Sequence, residues 1–277
     1  MNERSQIDGI FPFLYNICSI SEQAGEKILS YFEGKSTLKS RLKEDKSPVS
    51  EADLASNTVI KRGLMDLTPE ITILSEETHV IQRDTAPGSG LIWMVDPLDG
   101  TREFLNGVGE FAVNIALIEN GKPIIGVIHI PISGKTYAAY KGKGIFVRER
   151  GKIRNLLPPS PSSSPYKIMT SRFHAPVRNP DPKEFELIPC GSSVKFCRLA
   201  DGEAHIYPRF GPTMEWDTAA GQCLVEEVGG SVVDLDGNSL TYNKISLHNP
   251  YFLAVSSSGL LQDLKILETL KRMEQAR

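Results

Sequence analysis

Apolar and polar residues recur along the chain with two different periods, one typical of helices and one typical of strands. Residues 7–33 carry apolar side chains at helical spacing and end at Gly34, which predicts a long helix. A second helix is predicted over residues 51–67, because Ser50 and Asp53 have the spacing of a capping box. Later helices are predicted over residues 194–202, 217–228 and 260–273, and strands over residues 71–74, 91–95, 111–118, 124–130, 135–140, 166–169, 204–207, 231–235 and 251–255. Because helices and strands interleave throughout, we expect a mixed α/β (α+β) fold built of packed layers.

One segment of low complexity interrupts this pattern. Residues 156–165 read Leu-Leu-Pro-Pro-Ser-Pro-Ser-Ser-Ser-Pro, a composition that does not pack and is typical of linkers and exposed loops. We therefore predict two domains, an N-terminal domain of residues 1–157 and a C-terminal domain of residues 158–277.

Length, composition and charge narrow the class of protein. The chain has 277 residues, of which 40% are hydrophobic and 23% charged, as is typical of a globular protein with a large core. Its formal net charge of −3 gives no general attraction for nucleic acid. The uncharged residues 9–21 are too short to span a bilayer, and the 4 cysteines form no CxxC pair. We therefore expect a soluble protein of a reducing compartment, with no nucleic-acid partner and no integral membrane segment.

The densest group of polar residues follows the predicted strand at residues 91–95. Asp96 and Asp99 lie three positions apart, and Gly100 and Thr101 come directly after them. Two carboxylates at a buried strand end repel each other, so we expect a cation between them, and Mg²⁺ prefers such oxygen ligands. Thr101 begins a short helical pattern whose free N–H groups favour a phosphate. Taken alone, Asp99 and Gly100 are better interpreted as an ordinary turn in which Asp99 caps this helix, but that interpretation does not account for Asp96.

Two further acidic positions belong to the same hypothesis. Glu76 follows the strand at residues 71–74, and Asp217 lies at the start of a predicted helix. Alone, Glu76 fits a solvated strand end and Asp217 fits an N-cap. Together with Asp96 and Asp99 they are typical of the carboxylate set of a two-metal phosphate hydrolase.

These motifs resemble those of the inositol monophosphatase superfamily of Mg²⁺-dependent, lithium-sensitive phosphatases. The superfamily signature is Asp-Pro-Leu-Asp-Gly-Thr at residues 96–101 together with Trp-Asp-Thr-Ala-Ala-Gly at residues 216–221. Within it, residues 110–117, 171–174, 191–197 and 207–213 resemble the 3′(2′),5′-bisphosphate nucleotidases of the CysQ type. The resemblance implies a layered αβαβα sandwich, as in inositol monophosphatase and fructose-1,6-bisphosphatase.

The resemblance also implies roles for the matching residues. Those implied to hold two or three Mg²⁺ ions are Glu76, Asp96, Leu98 (through its carbonyl), Asp99 and Asp217. Those implied to act in catalysis on the attacking water are Asp53, Thr101 and Glu76. Those implied to bind the substrate are Glu76, Leu98, Asp99, Gly100, Thr101, His174, Ser192, Lys195, Arg209 and Asp217. For Asp53 the capping box is a second interpretation, and for Lys195 and Arg209 the alternative is solvated surface charge.

The activity that the resemblance implies is hydrolysis of the 3′-phosphate of 3′-phosphoadenosine 5′-phosphate by a metal-activated water. AMP and phosphate would be the products, lithium an inhibitor, and the setting cytoplasmic and linked to sulfur assimilation. The motifs leave the oligomeric state and any peripheral contact with the inner membrane open.

Three alternative functions are weighed against this one. An inositol or sugar phosphate monoesterase would share the metal ligands but would need no cations for a second phosphate. A haloacid-dehalogenase-like phosphatase would have its two aspartates separated by one residue, whereas two residues separate Asp96 from Asp99. An inactive nucleotide-binding regulator would lack a metal ligand or Thr101, and all of these are present.

Overall fold

The computed structural model of the chain describes residues 11–34, 40–42, 48–78, 88–159, 165–173 and 181–275. Its helices are α1 (Phe11–Glu33), α2 (Glu51–Leu67), α3 (Thr101–Leu105), α4 (Val194–Ala200), α5 (Ala219–Glu227) and α6 (Leu264–Gln275), with 3₁₀ turns at Glu215–Asp217 and Ser258–Gln262. Its strands are β1 (Ser40–Leu42), β2 (Pro48–Ser50), β3 (Thr72–Ser75), β4 (Leu91–Asp99), β5 (Ala112–Glu119), β6 (Lys122–Ile130), β7 (Lys135–Tyr140), β8 (Gly144–Glu149), β9 (Lys152–Asn155), β10 (Tyr166–Ser171), β11 (Phe185–Cys190), β12 (Ile206–Arg209), β13 (Ser231–Asp234) and β14 (Phe252–Val255).

Two large sheets contain most of the strands. The first has seven strands in the order β3-β4-β5-β6-β7-β8-β9, with β3 and β4 parallel and every other pair antiparallel. The second has five strands in the order β11-β10-β12-β14-β13, and β10 is parallel to both β11 and β12. β1 and β2 form a separate two-stranded antiparallel pair.

Alternation of side chains along β4 shows how the layers are built. Trp93 and Val95 point to one face of the first sheet, where they pack with the apolar sides of α1 and α2. Ile92 and Met94 point to the opposite face, in a cluster shared with α4, α5 and the inner face of the second sheet. The outer face of the second sheet is covered by α6, which contributes Ile266, Leu270 and Met273. The layer order is therefore αβαβα, which confirms the predicted fold class.

Close contact between β6 and α5 depends on a glycine. A Cβ atom at Gly126 would lie 2.4 Å from the Ala220 carbonyl oxygen and 2.8 Å from the Cβ of Cys223. Since real Cβ atoms do not approach a carbonyl oxygen this closely, only glycine allows α5 to lie at its present distance from the sheet.

Five strands, β1, β2, β8, β9 and β11, are not predicted by the hydrophobic pattern. All four residues of the edge strand β9 are exposed, and in the edge strand β11 only the terminal Phe185 and Cys190 are buried. Neither strand therefore has the alternation that indicates a half-buried strand. The predicted last helix begins later than expected, at Leu264, because residues 258–262 form a 3₁₀ turn.

The chain passes from the first sheet to the second between Asn155 and Tyr166, inside the predicted linker. Residues 160–164 of that linker lie outside the described residues, and the division into two domains stays a prediction. Within the described ranges, no helix is long and apolar enough to cross a membrane.

Candidate active site

Three acidic side chains from distant parts of the sequence meet beside the first sheet. Carboxylate oxygens of Glu76, Asp96 and Asp217 all lie within 4.8 Å of one another. The parallel pairing of β3 with β4 brings the first two together, and the Glu76 N–H donates to the Val95 carbonyl at 3.1 Å. Asp217 ends the 3₁₀ turn between the sheets, and its carboxylate accepts the Met214 N–H at 2.8 Å. Asp217 is therefore not the N-cap of α5, a position that Thr218 occupies.

Asp96 and Asp99 are brought to the same side of β4 by a break in its pairing. The register with β5 shifts between these two aspartates, where Pro97 interrupts the regular strand pattern. Asp96 accepts the Leu98 N–H at 3.1 Å. Asp99 accepts hydrogen bonds from the Ser193 N–H and, at 3.4 Å, from the Asn114 side chain.

The electrostatics of this acidic cluster favour a bound cation. Burial raises the pKa of Asp96 well above its usual range, and the carboxylates of Glu76, Asp99 and Asp217 raise it further. Burial likewise raises the pKa of Asp217 well above its usual range, with Asp99 and Glu76 adding to the effect. For Asp99, burial raises the pKa while Lys195 and the Ser193 hydrogen bonds oppose the rise. Closely spaced carboxylate oxygens are hard ligands, so this donor set fits a hard divalent cation such as Mg²⁺.

Asp53 connects the start of α2 with Thr101. Its Oδ2 accepts the Ser50 N–H at 2.9 Å and the Ser50 hydroxyl at 2.5 Å, so the predicted capping box is present. Its Oδ1 lies 3.2 Å from the Thr101 hydroxyl, which donates towards it and lies 3.3 Å from the Leu98 carbonyl oxygen. Asp53 is 2% exposed. One buried carboxylate therefore accepts hydrogen bonds from both Ser50 and Thr101.

Gly100 caps α3 in a conformation that only glycine adopts easily. Its φ is +92°, and a Cβ atom there would lie 3.0 Å from both the Glu110 carbonyl oxygen and the Cβ of Ser192. Any side chain at this position would therefore crowd the pocket that Gly100 lines.

A pocket of about 120 Å³ lies beside the acidic cluster. Its lining includes the predicted site residues Asp99, Gly100, Ser192, Lys195, Arg209 and Asp217. The pocket is also lined by residues to which the sequence assigns no role, among them Arg102, Glu103, Ser171, Phe173 and Thr213. His174 lies outside the described residues.

The two predicted cations hold different positions in the pocket wall. Lys195 is 3% exposed, and its Nζ donates to the Cys190 carbonyl at 3.0 Å and lies 5.0 Å from the centre of the Tyr207 ring. Burial lowers its pKa, and the nearby Cys190 and Asp99 oppose that change. Arg209 is less enclosed, and its Nη1 donates to the Ser171 hydroxyl at 2.6 Å while its Nη2 donates to the Pro212 carbonyl at 2.9 Å. Neither cation is a solvated surface charge.

Asn114 and Ser193 are residues that sequence reasoning misses. The Asn114 side chain donates to Asp99 and, at 3.4 Å, to the carbonyl of Trp216, which precedes Asp217. The Ser193 hydroxyl in turn donates to Asn114 Oδ1 at 2.6 Å. A signal for Asn114 exists, because it is a polar residue inside an otherwise apolar strand and pairs directly with Asp96. Ser193 lies in the motif at residues 191–197, at the N-cap of α4, but that motif gives it no role of its own.

Comparisons with known proteins agree with this arrangement. The model of the inositol monophosphatase family matches residues 12–266. The 3′(2′),5′-bisphosphate nucleotidase CysQ of Salmonella typhimurium (strain LT2) is 40% identical, over 86% of this chain and 98% of that protein. The protein of the same name from Escherichia coli (strain K12) is 39% identical with the same coverage.

A solved structure gives the same result for the fold. The crystal structure of CysQ from Bacteroides thetaiotaomicron, described as a bacterial member of the inositol monophosphatase family, is 32% identical with a TM-score of 0.70. The match covers 87% of this chain and 96% of that one. With its αβαβα layers and its acidic cluster at the break in β4, the chain belongs to the inositol monophosphatase family.

Proposed function

We propose that this protein is a Mg²⁺-dependent, lithium-inhibited 3′(2′),5′-bisphosphate nucleotidase that hydrolyses 3′-phosphoadenosine 5′-phosphate to AMP and phosphate. One observation carries the proposal: Asp217 of the acidic cluster and the neighbouring Asp99 line the same small pocket as Arg209 and Lys195. A site for one phosphate ester therefore lies beside two cations that suit a second phosphate. The names of the relatives that are about 40% identical support the same activity.

The acidic cluster fits Mg²⁺ because it offers several carboxylate oxygens at short mutual distance. Glu76, Asp96, Asp99, Asp217 and the Leu98 carbonyl would hold two or three ions. When bound, Mg²⁺ lowers the pKa of water and neutralises phosphate oxygens.

Asp53 and Thr101 supply a route for a proton. The Thr101 hydroxyl donates to Asp53 Oδ1, so the Thr101 oxygen can accept a hydrogen bond from a water bound at the acidic cluster. That contact orients the water for attack on phosphorus. The water can give a proton to the Thr101 oxygen while the Thr101 hydroxyl gives its own proton to Asp53. Because Ser50 holds Asp53 Oδ2, the carboxylate cannot rotate away.

The remaining residues position the substrate. At Gly100 the absence of a side chain lets the backbone approach the scissile phosphate closely, while Arg209 faces the non-scissile phosphate. Lys195 acts through its charge, because its ammonium is buried against Cys190 and Tyr207 and lies near Asp99. Ser192, with a φ of +46°, turns the chain at the pocket wall and contacts the same ligand.

We also propose the cytoplasm as the compartment and sulfur metabolism as the setting. Cys18, Cys190, Cys197 and Cys223 are all buried and unpaired, a state that a reducing compartment maintains.

The test is phosphate release from 3′-phosphoadenosine 5′-phosphate and from inositol 1-phosphate at saturating Mg²⁺, with and without Li⁺. We expect strong preference for the nucleotide and loss of activity with Li⁺. Preference for inositol 1-phosphate would agree with the proposed metal site but contradict the proposed nucleotide substrate. No release from either ester by folded protein would favour an inactive regulator.

A further inference from the structure

The pocket is assembled from two separate parts of the fold. Asp99 and Gly100 come from the end of β4 in the first sheet, whereas Ser171 ends β10 and Ser192 follows β11 of the second sheet. Any residue that fixes these two parts relative to each other also fixes the distance between the acidic cluster and Arg209.

Glu110 makes that connection. It lies between α3 and β5, and its backbone carbonyl packs against Gly100. Its Oε2 accepts the Arg172 Nε at 2.8 Å and the Gly191 N–H at 2.7 Å, and its Oε1 accepts the Arg172 Nη2 at 2.7 Å. One carboxylate thus joins the loop after α3 to the ends of both β10 and β11.

The charge of Glu110 suits this geometry. The Glu110 side chain is 17% exposed, and its Oε1 also lies 4.0 Å from Nη2 of Arg198. Burial acts to raise the pKa of Glu110, but the hydrogen bonds from Arg172 and Gly191 outweigh it and lower the pKa below the usual range. Glu110 is therefore ionised at neutral pH and forms a bidentate pair with the guanidinium.

The contact extends from Arg172 to Arg209 through neighbouring atoms. Arg172 also donates to the Pro189 carbonyl at 3.2 Å, which fixes the end of β10 against β11. Ser171, the residue before it, accepts the Arg209 Nη1 at 2.6 Å. Gly191, the other hydrogen-bond partner of Glu110, lies two residues before Ser193, whose N–H donates to Asp99.

We propose that Glu110 is a positioning residue that sets selectivity for the second phosphate of the substrate, because it holds Arg172, Ser171 and hence Arg209 at a fixed distance from Gly100. This role rests on the proposed function. Glu110 itself does not touch the substrate.

The experiment measures kcat and KM of the full chain with Mg²⁺ on 3′-phosphoadenosine 5′-phosphate and on 3′-AMP, which lacks the 5′-phosphate. The variants are Glu110→Ala, Arg172→Lys, Arg209→Ala and the double variant Glu110→Ala/Arg209→Ala. We expect Glu110→Ala to raise KM for the bisphosphate about ten-fold and to change the values for 3′-AMP by less than about two-fold. Arg172→Lys should act in the same direction, since lysine cannot replace the bidentate pair.

The double variant separates positioning from a general structural effect. If Glu110 acts through Arg209, its removal in the Arg209→Ala background changes KM for the bisphosphate by less than about two-fold. Arg154→Ala, which breaks an ion pair with Asp201 outside the pocket lining, is the control and should alter neither substrate. Melting temperatures identify any variant that does not fold, in which case Arg172→Lys decides.

Two results overturn this role of Glu110: equal losses on both substrates, or additive effects of Glu110→Ala and Arg209→Ala. A wild-type protein with equal kcat/KM on both esters contradicts the proposed function instead.

Discussion

At the scale of single residues, the buried carboxylate of Asp96 determines how the protein responds to pH and metal. The pKa values of Asp96 and Asp217 in the folded state lie above those of exposed aspartates, so the metal-free fold binds protons more tightly than the unfolded chain does. Its free energy of unfolding therefore falls as the pH rises from the usual aspartate range through these raised pKa values.

Stabilisation by Mg²⁺ should consequently depend on pH. We expect Mg²⁺ to raise the melting temperature more at pH 8 than at pH 5, because at pH 5 the cation must displace protons from the acidic cluster. Thermal unfolding with Mg²⁺ and with EDTA at both pH values measures this. A shift of the same size at both would contradict the predicted protonation.

Asp96→Asn should separate activity from stability. The amide removes one of the repelling charges, so we expect the metal-free protein at pH 8 to melt at the same temperature or higher. Activity should fall about a thousand-fold, and the Mg²⁺-induced rise in melting temperature should become small. Phosphate release and thermal unfolding test both statements. Asp66→Asn, in an exposed pair with Arg62, is the matched control and should change neither.

At the scale of elements, the first turn of α2 and the start of α3 share one side chain. Asp53 caps α2 through Ser50 and holds Thr101 at the start of α3. Substitution of Asp53 itself would mix the two effects, whereas its partners can be changed one at a time.

Substitution of Ser50 should mainly affect stability, whereas substitution of Thr101 should mainly affect activity. Ser50→Ala removes a cap contact and should lower the free energy of unfolding by about 1 kcal/mol with activity largely retained. Thr101→Val keeps the cap and should lower kcat about a hundred-fold with little loss of stability. Urea unfolding and steady-state kinetics on both variants test this. Thr101→Ser should restore activity, and its failure to do so would argue against a role for the hydroxyl.

Local sequence signals decide which elements can be predicted. The start of α2 follows from Ser50 and Asp53, because a capping box depends on residues three positions apart. β9 could not be predicted, since its residues face solvent and its pairing with β8 depends on the edge of the sheet. The extension of β4 to Asp99 is also missed, because Pro97 is typical of a strand end.

At the scale of the whole molecule, the site depends on contacts between layers that no local pattern encodes. Asp217 lies more than a hundred residues after Asp96 and reaches it because α5 packs against the first sheet. The family motifs indicate that these residues share a site, but hydrophobic periodicity alone does not. Asn114 shows the same limit, since its partners Asp99 and Trp216 come from two other elements.

Gly126→Val tests whether the packing of α5 controls the acidic cluster. A side chain on β6 would press on the Ala220 carbonyl, so we expect the free energy of unfolding to fall by about 1–3 kcal/mol. Because Asp217 lies two residues before α5, the Mg²⁺ concentration needed for half-maximal activity should rise. Urea unfolding and Mg²⁺ titration measure the two effects. Exposed Glu119→Ala is the control, and unchanged Mg²⁺ dependence in a destabilised Gly126→Val would refute the coupling.

The placement of the acidic residues on both sides of one connection has a practical consequence. The chain crosses from β9 to β10 once, with Glu76 and Asp96 before the crossing and Asp217 after it. Cut between Asn155 and Tyr166, each fragment would lack part of the ligand set and would expose the apolar face that the other covers. Fused to two interacting proteins, the fragments would regain turnover only on reassembly. The fold thus contains the parts of a split-enzyme reporter, in which the rate of phosphate release would measure how much of the two fused partners is associated.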